Sequence, residues 1–194
     1  MSNTTITIPT LDLNLFLNGT NEDRTNFCND LGKAYKEIGF VVIKNHGLSK
    51  ELKDNLYAQV KKFFAMDEEF KKKHEKMDIF GQRGYTSKGR EKAKDSDVPD
   101  LKEFWQWGQY VEDNDPIKEK YFENIFVEEM PEFNQVAKEA YKKLESIGRE
   151  LLKAISLFLG LEENYFDSKI HNGDSILRMI HYFPLVNVDL PEGS

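Results

Sequence analysis

Apolar residues in this chain recur at two periods, and the switches between them mark out its elements. "EDRTNFCNDLGKAYKEI", residues 22–38, sets Phe27, Leu31, Ala34 and Ile38 on one stripe. That spacing predicts a helix, capped by Asn21 and stopped at Gly39. "KELKDNLYAQVKKFFAM" repeats the period with Leu52, Leu56, Val60 and Phe63 behind Ser49 as N-cap, and Asp67 caps a short helix through "EEFKKKH". The longest helix is predicted over 131–160. Pro131 suits its first turn, Gly160 ends it, and Phe133, Val136, Ala140, Leu144, Ile147, Leu151, Ile155 and Phe158 form its stripe.

Three segments read as extended. "TITIPTLDL" has strand-favouring Thr and Ile, and Pro9 confines it to an edge. "FVVIKN", residues 40–45, is continuously apolar at its start and predicts a strand buried on both faces. "DSILRMIHYF" is strand-like until Pro184 breaks it. On that strand Arg178, Ile180 and Tyr182 face one way, while Leu177, Met179, His181 and Phe183 face the other. Residues 78–100, punctuated by Gly81, Gly84, Ser87, Gly89, Asp95, Ser96 and Pro99, are expected to form a long irregular segment. Trp105 and Trp107 in "FWQWG" are expected in core and rim packing.

At 194 residues the chain suits one domain with a sizeable core. A net charge of -7 argues against a nucleic-acid surface, which needs a basic footprint. Lys71-Lys72-Lys73 stands among Glu68, Glu69 and Glu75 and reads as a solvated helix face. The single cysteine, Cys28, falls on the apolar side of its helix as a buried thiol. No apolar run approaches the ~20 residues of a membrane span, so no membrane partner is expected. "MSNTTITIPTLDLNLF" has no basic stretch followed by an apolar one, so a cytoplasmic location is expected.

The chain runs helix, "GFVVIKNHG", helix, "FFAM", "RGYTSKGRE", "DLKEFW", a long helix ending "LFLGL", then "LRMIHYFP". This order resembles the isopenicillin N synthase-like branch of the non-haem iron, 2-oxoglutarate-dependent oxygenases. "IPTLDL", "GFVVIKNHG" and "PDLKEFWQWG" carry the resemblance, which extends from Ile8 to Pro184. It implies an α+β fold: the N-terminal helical and mixed region of a double-stranded β-helix (jelly-roll) oxygenase, with a long support helix. Within one domain, residues 1–115 would be the N-terminal region, 116–170 the support helix, and 171–194 the first core strand and following loop. The resemblance also implies Fe(II) and 2-oxoglutarate as cofactors of the full-length protein. The reaction would be hydroxylation, desaturation or ring closure of a small molecule.

That chemistry uses two histidines and a carboxylate on one face of the iron, the first pair written His-x-Asp or His-x-Glu. None of the four histidines, His46, His74, His171 and His181, begins such a pair. "HNGD", residues 171–174, is one residue too long, and Asn-Gly reads as a turn. In Asn45-His46-Gly47, Gly47 permits a tight turn and Asn45 or His46 can hydrogen-bond the freed backbone groups. No catalytic or metal-ligating residue is therefore expected within residues 1–194, and the barrel is expected to be incomplete. The chain is expected to be the N-terminal part of a longer oxygenase, whether fragment or natural truncation. The alternative is a non-catalytic scaffold or partner-binding module derived from that fold.

Two pairs of residues remain as site candidates. Arg178 and Tyr182 share one face of their strand, and Arg178 is a charge between "IL" and "MI". If that face lines a barrel, the guanidinium requires an anion such as the carboxylate of 2-oxoglutarate or substrate. If it faces solvent, Arg178 is ordinary. The family often writes tyrosine just before a proline here, and two registers fit. Either Tyr182 matches with Phe183 in place of a first proline, or Phe183 replaces the tyrosine; the first also matches Arg178 and is preferred. Arg83 and Tyr85 in "GQRGYTS" resemble a segment that approaches substrate in relatives; the competing reading is a surface turn with a packed tyrosine.

Overall fold

The structure, a computed structural model, describes residues 7–92 and 100–184. In chain order the elements are β1 (Thr10–Asp12), α1 (Leu13–Asn18), α2 (Asn21–Glu37), β2 (Val42–Lys44), α3 (Lys50–Phe64) and α4 (Glu68–Lys72). A short 3-10 helix follows at Met77–Ile79, then β3 (Gly84–Thr86), β4 (Lys102–Trp107) and a second 3-10 helix at Pro116–Lys120. The long α5 (Pro131–Phe158), α6 (Asp167–Ile170) and β5 (Leu177–Tyr182) complete the set. These elements fall into two compact units. Among the described residues no helix is long and apolar enough to cross a membrane.

The first unit holds the described residues up to Ser49 together with Lys142–His171. Its core is Leu13, Phe16, Phe27, Cys28, Leu31 and Ala154, with Ile147, Leu151 and Ile155 packed against it. The α2 stripe thus lies where the 3.6-residue period places it, and burial pushes the Cys28 thiol pKa up. The N-cap is Thr20, not Asn21: its hydroxyl accepts from the Asp23 N–H at 3.2 Å while the Asp23 carboxylate accepts from the Thr20 N–H at 2.9 Å. A reciprocal capping box satisfies two end donors at once, which outweighs the cap that Asn21 offers. Gly39 and Gly160 take positive φ at the helix ends, as expected of stops.

β1 and β2 pair in parallel, Thr10 opposite Val42 and Asp12 opposite Lys44. The expected two-sided burial of residues 40–45 does not hold: Phe40 and Val42 are exposed, and Val41 and Ile43 alone pack on the core. A two-stranded sheet has only one covered face. In the following turn, His46 Nδ1 accepts from the Leu48 N–H at 3.2 Å, and Asn45, at φ 53, donates to Asp12 at 2.7 Å. Both polar side chains close the turn.

The second unit holds Lys50–Tyr141 and the described residues from Asn172 onward. β3, β4 and β5 form an antiparallel sheet in that order, with Tyr85 opposite Trp105, Gln106 opposite Arg178 and Lys102 opposite Tyr182. One face carries Tyr85, Trp105, Trp107 and Met179 into an aromatic core with Phe63, Phe64, Phe133 and Tyr141. The Phe63 ring stacks on Phe133 at 5.3 Å and meets Trp105 edge-on at 4.8 Å. Both tryptophans are core, neither is rim. Two strands stand where an irregular segment and an unassigned stretch were expected; Asp95, Ser96 and Pro99 lie outside the described residues.

Lys71 overturns the reading of its lysine run. Lys72 and Lys73 are solvated, but Lys71 is 7% exposed and its ammonium lies 2.7 Å from Glu103. The run turns with the helix, so its three side chains point different ways, and the one turned inward is held by Glu103.

Candidate active-site pocket

Alternation along the sheet places Gly84 and Thr86 of β3, Phe104 and Gln106 of β4, and Arg178, Ile180 and Tyr182 of β5 on the face opposite the aromatic core. A pocket of about 540 Å³ lies over this face. Thr86, Phe104, Gln106 and Arg178 line it from the sheet, and Met77, Phe80 and Ile176 from the flanking segments. Gln82, Arg90, Glu91 and Asp174 line it as well, so the lining is mixed, with Met77, Phe80 and Ile176 as its apolar part.

Arg178 is the cation that the sheet contributes. Its Nε donates to Gln106 Oε1 at 3.1 Å, and its Nη1 lies 3.2 and 3.5 Å from the two carboxylate oxygens of Glu91. The guanidinium lies 4.5 Å from the centroid of the Phe104 ring, a cation–π placement. Gln106 is buried and fixed at its other end, where Nε2 donates to the Gly81 carbonyl at 2.6 Å. The sheet thus holds Arg178 by charge, by hydrogen bond and by an aromatic surface. Tyr182 is on the same face, 66% exposed, and is not among the residues lining the pocket.

Arg83 and Tyr85 are both buried, so the surface turn fails while the packed tyrosine holds. The Arg83 guanidinium donates to the Gln82 carbonyl at 2.8 Å and lies 3.5 Å from Asp174, itself a pocket residue. A Cβ on Gly108 would stand 2.0 Å from Arg83 Cζ, so the guanidinium occupies space that only glycine leaves. Gly108→Ala is expected to displace Arg83 and lower stability by about 1–3 kcal/mol, measured by urea unfolding. An unchanged midpoint would show that Arg83 has other room.

The Tyr85 hydroxyl donates to Glu103 at 2.5 Å. Glu103 is 1% exposed and also accepts from Lys71 at 2.7 Å, while His181 Nδ1 lies 2.8 Å away. Burial pushes the Glu103 carboxyl up, but the hydrogen bonds from Lys71, Tyr85 and His181 prevail and hold it below its ordinary value. Burial first, then the Glu103 carboxylate, drives the Tyr85 pKa far up. Thr86, Gln106 and the Lys71–Glu103 pair were not singled out from the sequence; the alternation of Lys102, Phe104 and Gln106 against Glu103, Trp105 and Trp107 was the available signal.

Among the described residues no group of three or more His, Cys, Asp or Glu is placed to hold a metal ion. His74 is packed among Phe63, Phe70 and Trp105, and His181 is turned to Glu103. In "HNGD", Asn172 takes φ 47, as a turn requires.

Residues 8–129 match the family described as non-haem dioxygenase in morphine synthesis N-terminal. The chain belongs to this family. A 2-oxoglutarate-dependent dioxygenase, htyE, of Aspergillus rugulosus is 31% identical over 92% of this chain and 56% of its own length. A 1-aminocyclopropane-1-carboxylate oxidase of Dictyostelium mucoroides is 29% identical over 91% of this chain and 49% of its own. The chain thus spans about half the length of these curated relatives. Among solved structures, a 2OG-Fe(II) oxygenase family protein from Caulobacter crescentus superposes with a TM-score of 0.82 at 31% identity, covering 93% of this chain and 58% of that one. Full-length Neurospora crassa T7H in complex with alpha-KG superposes at 0.74 with 25% identity, covering 94% and 56%.

Proposed function

We propose that this chain forms one wall of the active site of a non-haem iron, 2-oxoglutarate-dependent oxidoreductase acting on a small molecule by hydroxylation, desaturation or ring closure. In this reading β3, β4 and β5 are strands of a jelly roll, and α5 is its support helix. The observation that carries it is Arg178, whose guanidinium faces a pocket and already holds both oxygens of a carboxylate, that of Glu91. A carboxylate of 2-oxoglutarate can take the place of the Glu91 carboxylate at Nη1 as a charge-assisted contact. On its arrival Glu91 keeps Lys102 at 2.8 Å as a partner, so the exchange strands no charge. Tyr182, exposed on the same face but outside this pocket's lining, would offer its hydroxyl only to a ligand that extends along the strand. Arg83 and Tyr85 act as positioning residues, Arg83 through Asp174 and Tyr85 through Glu103.

The described residues do not fit the iron, so no step is routed through it. The expected result is that the 194-residue chain, purified alone, neither retains Fe(II) near one equivalent nor consumes 2-oxoglutarate. Metal analysis after desalting checks this. Stoichiometric iron, abolished by His171→Ala, would overturn the assignment and place a metal at residues 171–174. A second reading, a non-catalytic scaffold, predicts no 2-oxoglutarate binding that depends on Arg178.

A further inference from the structure

Phe80 occupies a position that neither packing nor backbone preference explains. It ends the 3-10 helix at φ 56, ψ 29, and its ring is 83% exposed. A left-handed conformation is unfavourable for a bulky residue, and an exposed aromatic recovers little of that cost from burial. The turn is nevertheless firmly held. The Phe80 N–H donates to the Met77 carbonyl at 3.1 Å, and the next carbonyl, of Gly81, is gripped by buried Gln106 at 2.6 Å. Phe80, Met77 and Ile176 form the apolar wall of the pocket, all three exposed. Below them Thr86 is 6% exposed, lines the same pocket, and its Oγ1 has no hydrogen-bond partner among the described residues. A buried hydroxyl left without a partner is costly unless a ligand completes it.

We infer that Phe80 is a specificity-determining platform, on which a substrate with a flat ring stacks while a polar group on that ring reaches Thr86. The inference rests on reading this pocket as the place of reaction. It adds the substrate class: a planar aromatic or heteroaromatic molecule with a hydrogen-bonding substituent. An aliphatic chain would find the same apolar wall but no complementary π-face.

Benzamide and cyclohexanecarboxamide are suitable probes, being neutral and therefore independent of the Arg178 charge. Ligand-observed saturation-transfer NMR titrations on the 194-residue chain compare the two. Benzamide is expected to bind about two- to tenfold more tightly, the range an aromatic pair contributes. Phe80→Asn keeps a residue suited to the left-handed turn but removes the ring, and should abolish that preference without lowering the melting temperature. Thr86→Val should weaken both probes alike. Equal affinities in the wild-type chain, or a preference that survives Phe80→Asn, would overturn the inference. So would a melting temperature that falls in Phe80→Asn as it does for a core truncation. Arg178→Met separates the two proposals. Loss of 2-oxoglutarate binding with the benzamide preference intact supports both. A benzamide preference with 2-oxoglutarate indifferent to Arg178 overturns the cofactor reading and leaves the platform standing.

Discussion

Glu103→Ala is expected to lower the unfolding free energy by about 3–5 kcal/mol, the loss that follows when one partner of a buried ion pair is removed. Lys71 is then left buried beside Tyr85, keeping as acceptor the Phe64 carbonyl at 3.3 Å. The Tyr85 hydroxyl and the His181 ring lose their partner in the same step. Against a typical total stability of about 5–15 kcal/mol, this is enough to leave much of the chain unfolded at 37 °C. Urea unfolding measures it, and a loss under about 1 kcal/mol would show that solvent reaches Lys71. The double variant Lys71→Met, Glu103→Leu should recover much of the loss, because replacing both charges with apolar bulk leaves no orphaned ion.

The same cluster sets the pH limits. A carboxyl held below its ordinary 4.5 stabilises the fold above that pH, and the contribution is lost as pH falls through the folded value. Stability is therefore expected to decline on acidification below about 4.5, and less steeply in the double variant. At the alkaline end the sign reverses. Tyr85 and Tyr110 are pushed well above their ordinary 10.0, chiefly by burial, so above that pH the unfolded chain releases protons that the folded chain retains. Stability falls there as pH rises.

The helices were legible because each buries one stripe: Phe27 and Leu31, or Phe133 and Val136, are both spaced and buried as the period requires. The sheet was harder to see. In residues 102–107 the core face carries Glu103 beside Trp105 and Trp107, and the pocket face carries Phe104 beside Lys102 and Gln106. A charge sits on the core face and a buried aromatic on the pocket face, so the two-residue alternation of polarity is disguised. Lys71 was hidden for a related reason. Composition marks it as solvated, and its burial is explained only by Glu103, which is distant in sequence. Arg178 and Tyr182 were placed on one face by alternation alone, and that face is shared with the pocket. Which side of the sheet meets the helices depends on Phe63 and Phe133, a contact that no local pattern encodes.

In an active enzyme carrying this segment, Arg178→Met is expected to weaken 2-oxoglutarate roughly ten- to a hundredfold. A charge-assisted hydrogen bond to a carboxylate contributes on the order of 1.5–3 kcal/mol, and each 1.4 kcal/mol is a factor of about ten. Methionine retains apolar bulk over the Phe104 ring, so the change removes the charge more than the packing. Little fold stability should be lost. The Arg178–Glu91 pair is more than a third exposed on both sides, and such pairs are worth about 0–1 kcal/mol. Glu91 keeps Lys102 in the variant, so no buried anion is left behind. Titration calorimetry with 2-oxoglutarate, alongside a melting curve, separates the two effects. Unchanged affinity for both 2-oxoglutarate and substrate would mean that the Glu91 carboxylate is the guanidinium's permanent partner, and that the carboxylate of the cofactor is held elsewhere.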